Sequence, residues 1–402
     1  MSNIIELLRA YITANQEEMI RKLGELVNLE GHFLERENVV KARNWLQKEL
    51  EVEGFECNVI ELEPNERAGT LVAVLGKDRP GKPVQFSGHV DTVHYTGSFG
   101  KENPFYVKDG VAYGPGVLDM KGGLIIALYA VKALNAIGYK DRPIRMIVMG
   151  DEEYDHIDNN ADVVQREASR GALCSFHMES GTSGKLVTAR KSQDTYHIEV
   201  KGTGGHAGRD FWIKKNPLHE LLPKLTKMIS LTNKDKETTV TIAVVKAGEH
   251  WCSIPDYAEA YIDVRFLEES EAERVRKGIE TFAEEVYVPG TETIVTRQRA
   301  NFRALVENDT TLKFFNFLNE VAVECGQNPR EAMMGGGADD AGTIQSAGVA
   351  VVDGCGIDGI NPHNLAEQAY VQSLFDKVLL ISSAIYEIGR LETNLANDNF
   401  VE

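Results

Sequence analysis

The apolar pattern of this chain changes rhythm twice, and that change limits its architecture more than any other feature. From Ile4 to Val27 and from Val39 to Leu50 the apolar residues recur with helical spacing. Short apolar runs follow at Cys57–Leu62, Thr70–Leu75 and Val84–Ser87. Residues Gly122–Ile137 are apolar nearly all round, as in a buried helix, and Ile144–Met149 reads as an interior strand. Such alternation predicts a mixed, mainly parallel sheet covered by helices. Between residues 192 and 303 the pattern becomes strand, helix, strand, strand, helix, strand: 195–201, 217–231, 238–247, 257–266, 270–286 and 291–297. This is the ferredoxin-like βαββαβ order. The first rhythm then returns, with a helix over 309–324, a strand over 349–352 and one long closing helix over 368–391. The expected organisation is therefore a larger domain in two parts, 1–191 and 304–402, with an inserted ferredoxin-like domain over 192–303.

In sheets of this kind ligands bind beyond the carboxyl ends of the strands. Five segments bring nitrogen or carboxylate donors to such positions: Ser87–Thr92, Gly116–Gly123, Gly150–Glu153, His177–Glu179 and Asn361–Asn364. Histidines and several carboxylates, with no cysteine among them, suit zinc and also cobalt or manganese. Hydrolysis of an amide needs an activated water and a stabilised oxyanion, which a metal pair supplies. A carboxylate bridges two ions well, and Asp119, in a glycine-flanked turn before a buried helix, suits that role. His89 and Asp91 fall on one face of an extended strand, so Asp91 is placed to accept the second ring N–H of His89. Glu152 and Glu153 point in different directions, so one can ligate while the other takes a proton; adjacency alone leaves open which does which.

Each segment taken singly has a plainer reading. A Gly-Glu-Glu stretch is usually a solvated loop, a lone histidine is usually packed or exposed without function, and a Gly-Gly-Gly-Ala-Asp run is usually a turn or an anion-binding nest. Their joint occurrence carries the argument.

Composition limits the partners. Sixty-one acidic residues against 43 basic ones give a formal net charge of −18. That excess disfavours nucleic acid and anionic membranes. No apolar run approaches the ~20 residues of a membrane span, and the N-terminus lacks the pattern of a signal peptide. Five widely spaced cysteines without a CxxC pair imply free thiols and a cytoplasmic location.

The segments together resemble the zinc-dependent family that includes glutamate carboxypeptidase, acetylornithine deacetylase and succinyl-diaminopimelate desuccinylase. The likeness runs from about residue 20 to residue 390, and its motifs are Gly-His-x-Asp-Thr-Val at Gly88–Val93, Asp-Met-Lys-Gly-Gly at Asp119–Gly123 and the pair Glu152-Glu153. The resemblance implies two zinc ions per subunit, held by His89, Asp119, Glu153, Glu179 and His363, with Asp119 as bridge. It implies Glu152 as general base and Asp91 as partner of His89. His206, in Gly204–Gly208, resembles a histidine that reaches into the partner's site within a homodimer. Arg265 matches an arginine that grips the substrate's carboxylate; its plainer reading is a salt bridge on the strand surface, given Asp263 and Glu268 nearby. The Gly335–Gly337 loop, with Gly336 and Gly337, matches one approaching the same end of the substrate. Lys191 resembles a pocket position in the glutamate carboxypeptidase branch, to which the sequence is most similar.

Three stretches depart from the family pattern: Cys252-Ser253-Ile254-Pro255, where Asn often precedes the Ile-Pro step, Gly114-Pro115-Gly116, where Gly-Arg-Gly is common, and the acidic Tyr154–Asp158. The expected activity is hydrolysis of a C-terminal peptide or N-acyl amino acid bond. The alternatives are an N-acyl amino acid deacylase with the same centre and a catalytically silent binding protein on this fold.

Overall fold

A computed structural model describes residues 2–64, 66–299 and 302–396. They form two compact units, one comprising the described residues within 2–189, 305–335 and 339–396, the other those within 190–304 and 336–338.

The larger unit is built on a six-stranded sheet. Its order is Glu56–Ile60, Ala68–Leu75, Ile144–Gly150, Val84–His89, Cys174–His177 and Ala350–Val352. The last four strands run parallel, and the first two form an antiparallel edge. Alternate residues of the Ile144–Gly150 strand enter different apolar clusters. Met146 and Val148 join the main core, whereas Ile147 and Met149 pack with Leu62 and Ala161. The strand is thus covered on both faces, which explains its unbroken apolar sequence. Helices Ser2–Val27, Gly122–Ala136 and Val371–Tyr386 pack on one another within that main core. Because the central strands are parallel, His89, Glu152 and Glu179 all emerge from the same edge of the sheet.

One expectation is corrected. Residues 368–391 do not form a single helix. Gln368–Tyr370 is a strand paired with Val111–Tyr113, and two helices follow, Val371–Tyr386 and Gly389–Ala396. The ladder partner lies some 250 positions away, so local apolar spacing gives no sign of it.

The smaller unit is a four-stranded antiparallel sheet in the order Thr239–Ala247, Tyr257–Phe266, Ser192–Lys201, Glu292–Arg299. With helices Pro217–Ile229 and Glu269–Glu284 it has the βαββαβ connectivity. Asn216 caps the first of these helices by accepting the Leu218 N–H at 3.0 Å, and Pro217 occupies the first turn, where its missing donor costs nothing. Ala258, Ala260, Ile262 and Val264 enter the core, so the alternating Glu259, Tyr261, Asp263 and Arg265 lie on the opposite face.

Candidate metal centre

Two glycines shape the turn that presents Asp119. A Cβ on Gly123 would collide with the Met178 carbonyl oxygen, and one on Gly122 with Ile357. The start of the Gly122–Ala136 helix can therefore press against the segment leading to Glu179. Gly116, at φ 70°, supplies the left-handed residue that opens the turn. Its backbone is then held by Glu367, a residue with no exposed surface that sequence reading missed. Glu367 accepts the N–H groups of Leu118 at 2.8 Å, Asp119 at 2.9 Å and Gly116 at 3.1 Å, and faces His94 Nε2 at 2.8 Å.

Asp119 divides its carboxylate between two histidines. Oδ1 is 3.2 Å from His89 Nε2, and Oδ2 is 3.3 Å from His363 Nε2. His89 Nε2 also lies 3.1 Å from Glu179 Oε1, and His363 Nε2 lies 3.3 Å from Glu153 Oε2. Two potential ligand groups result, His89/Asp119/Glu179 and Asp119/Glu153/His363, each with its donor atoms within 4.8 Å of one another. Glu152 belongs to neither group, and its Oε2 is 3.7 Å from His89 Nε2. The Nδ1 of His89 sits 3.1 Å from the Asp91 carbonyl and 3.4 Å from Asp91 Oδ1. Asp91 Oδ2 accepts the Glu153 N–H at 3.0 Å, so one buried aspartate orients both segments.

Four carboxylates crowd two imidazoles here, and the electrostatics record it. Burial drives Glu152 well above the ordinary carboxylate range, with Glu179 and Glu153 adding to the effect against His89. Burial, reinforced by Asp119, pushes Glu153 up to about 8. Asp119 is held below its usual range because hydrogen bonds from His363 and His89 outweigh its burial. His363 is raised to about 10 by its bonds to Asp119 and Glu153. Burial opposes charge on His89, yet Glu179 and Glu152 hold that ring well above its normal value. Glu153 Oε1 is buried without a hydrogen bond, and Glu179 Oε1 has only the His89 ring at 3.1 Å. Uncompensated buried carboxylates are costly, and mixed imidazole and carboxylate donors suit divalent ions. The residues present therefore fit a pair of such ions.

The remaining expected residues lie in the smaller unit. His206 is exposed and pairs with Ser253 in a short ladder; its Nδ1 accepts the N–H groups of Gly208 and Arg209, both at 3.2 Å. Arg265 Nε donates to Asp263 Oδ1 at 2.9 Å. Lys191 Nζ is 3.0 Å from Glu237 Oε2. Gly336 and Gly337 are exposed, and the Gly337 carbonyl accepts Arg190 Nη1 at 3.2 Å. Back in the larger unit, a third buried acid-histidine group, His177, Asp339 and Asp353, was not anticipated from sequence. Its imidazole meets Ser87 Oγ at 2.8 Å through Nδ1 and lies 3.6 Å from Asp339 Oδ2 through Nε2.

Comparison with known proteins agrees with this geometry. Residues 85–387 match the model of peptidase family M20/M25/M40. The chain is 27% identical over 386 residues to carboxypeptidase G2 of a Pseudomonas species, covering 94% of this chain and 91% of that protein. It is 27% identical over 351 residues to succinyl-diaminopimelate desuccinylase of Acidiphilium cryptum, covering 83% and 89%. Among solved structures, aminopeptidase PepT from Bacillus cereus superposes with a TM-score of 0.74 at 21% identity, covering 93% of this chain and 99% of that one. With the fold, the convergent donors and the match over most of its length, the chain belongs to the M20/M25/M40 peptidase family and is a metal-dependent hydrolase.

Proposed function

We propose that this protein is a dizinc hydrolase that releases a C-terminal residue, glutamate foremost, from a small peptide or N-acyl amino acid. The observation that carries the reading is the division of Asp119 between two ligand groups, Oδ1 toward His89 and Oδ2 toward His363. In this reading His89, Asp119 and Glu179 hold one ion, and Asp119, Glu153 and His363 the other; cobalt or manganese suits the same donors. The bound ions supply a lowered pKa for water and a polarised scissile carbonyl.

The chain's own residues do the rest. Glu152, outside both ligand groups, takes the proton of the attacking water and passes it to the leaving amine. Asp91 keeps the His89 ring oriented. His206 accepts two backbone N–H groups on Nδ1, so its neutral ring carries the proton on Nε2 and can donate to a developing oxyanion. That donation comes from the partner in a homodimer. The edge position and largely exposed residues of the Thr239–Ala247 strand favour pairing between copies. Arg265 grips the free carboxylate of the substrate, while the Gly336–Gly337 loop and Lys191 border the same end. A catalytic domain interrupted by a ferredoxin-like insert, with boundaries near residues 191 and 303, is the organisation this mechanism uses.

Five free cysteines favour a reducing cytoplasm; among the described residues no helix is long and apolar enough to cross a membrane. Similarity to a desuccinylase over 83% of the chain favours a second reading, removal of an acyl group from an N-acyl amino acid. A screen of dipeptides and N-acyl amino acids with zinc- and cobalt-loaded protein, with products identified, separates the two. Glutamate as the preferred product supports the first reading, and acetate or succinate the second. No turnover with metal bound contradicts both.

A further inference from the structure

His156 lies in the acidic stretch that departs from the family pattern, and it belongs to neither ligand group. Its Nδ1 is 3.0 Å from Asp151 Oδ1 and its Nε2 is 2.8 Å from Asp340 Oδ1. None of the three side chains has exposed surface. A neutral imidazole donates from one nitrogen only, so two carboxylates at these distances require the doubly protonated ring. Burial works against that charge, but Asp151 and Asp340 prevail and hold the ring well above its ordinary value.

The backbone around it is irregular. Asp155, His156 and Asp158 have φ of 55°, 51° and 58°. Asp visits the left-handed region more readily than most residues, so the run marks an irregular turn rather than a helix or strand. The ring joins two separate segments. It links Asp151, the residue immediately before Glu152, to Asp340 at the start of the Ala341–Gln345 helix. Asp151 is fixed further, since its Oδ2 accepts Asn159 Nδ2 at 2.7 Å. Glu152 itself lies in the single turn Glu152–Tyr154, two residues past the end of the Ile144–Gly150 strand, with the Glu153 N–H held by Asp91. A buried ion cluster adds less to stability than apolar packing of the same volume would, so its place directly behind Glu152 calls for another role.

We propose that His156 is a positioning residue for Glu152, clamping the turn that carries it between Asp151 and Asp340. The proposal rests on Glu152 being the general base. It is tested on metal-loaded protein with Asp340→Asn, His156→Gln, the double variant and Glu152→Gln, following kcat, KM, bound metal and Tm. Misplacing a reacting group costs on the order of a hundredfold, so kcat should fall about 10- to 100-fold in both single variants, with KM and metal content unchanged. The double variant should be no slower than His156→Gln, because both changes break one clamp. Asp340→Asn keeps side-chain volume but removes the carboxylate that pairs with the ring, so it carries the test if His156→Gln does not fold. Turnover within about twofold of the parent in the folded single variants, whatever their Tm, overturns the clamp while an inert Glu152→Gln leaves the base assignment standing. Loss of activity that merely tracks loss of metal also overturns it. An active Glu152→Gln defeats the base assignment and the proposal with it.

Discussion

The buried carboxylate of Glu367 accepts the backbone N–H of Asp119 at 2.9 Å, joining residues 248 positions apart. Held in this turn, the Asp119 carboxylate faces His89 and His363 at once. Hydrogen bonds to charged groups contribute about 1.5–3 kcal/mol. Glu367→Gln replaces one accepting oxygen by a donor, which then meets either the Leu118 and Asp119 N–H groups or the Gly116 N–H and His94. We expect a stability loss of that order by chemical denaturation and weaker metal binding by competition with a chelator. Unchanged stability and metal affinity would show that Glu367 is incidental to the turn.

Glu152→Gln preserves side-chain volume and leaves both ligand groups intact. It should retain metal and lose about 10²–10⁴-fold in kcat, the usual effect of removing a general base. Near-normal turnover in this variant rules out Glu152 as the base.

Glu152→Gln and His206→Ala damage different parts of the proposed composite site. Each should be inactive alone. Mixing them under conditions where subunits exchange should restore activity, since a heterodimer holds one intact site. Exchange, verified with labelled subunits, without recovered turnover would refute the trans-acting histidine.

Arg265 forms a side-on pair with Asp263, the salt bridge that its plainer reading expected. If it also binds the substrate's carboxylate, Arg265→Lys cannot reproduce the two parallel bonds. Loss of about 1.5–3 kcal/mol lowers kcat/KM roughly 10- to 150-fold for free-acid substrates. Amide-capped analogues should be far less affected. Equal losses on both assign Arg265 to the fold.

The residues that cluster at the candidate centre are ones the family resemblance singles out, because several of them sit in short motifs. His89 ends an apolar strand, and Asp119 precedes two glycines that close packing demands. Glu367 and His156 escaped notice because their roles depend on partners far away. Glu367 follows His363 by four positions, but nothing nearby shows that it caps a turn at residues 116–119. His156 meets Asp340 from 184 positions away, and in sequence only its unusual acidic surroundings set it apart. The closing helix was misread for the same reason, since the pairing of Gln368–Tyr370 with Val111–Tyr113 overrides local preference. Apolar periodicity reports which face of a segment is buried, and is silent about which distant backbone it meets.

The central claim is that Asp119 joins two metal ions. The most direct test is the metal content of purified, zinc-equilibrated protein by elemental analysis, comparing the parent chain with Asp119→Ala. The parent chain should hold about two zinc ions, as expected of a two-metal site, and the variant should lose tightly held zinc together with activity. An Asp119→Ala protein that keeps both ions tightly bound would contradict it.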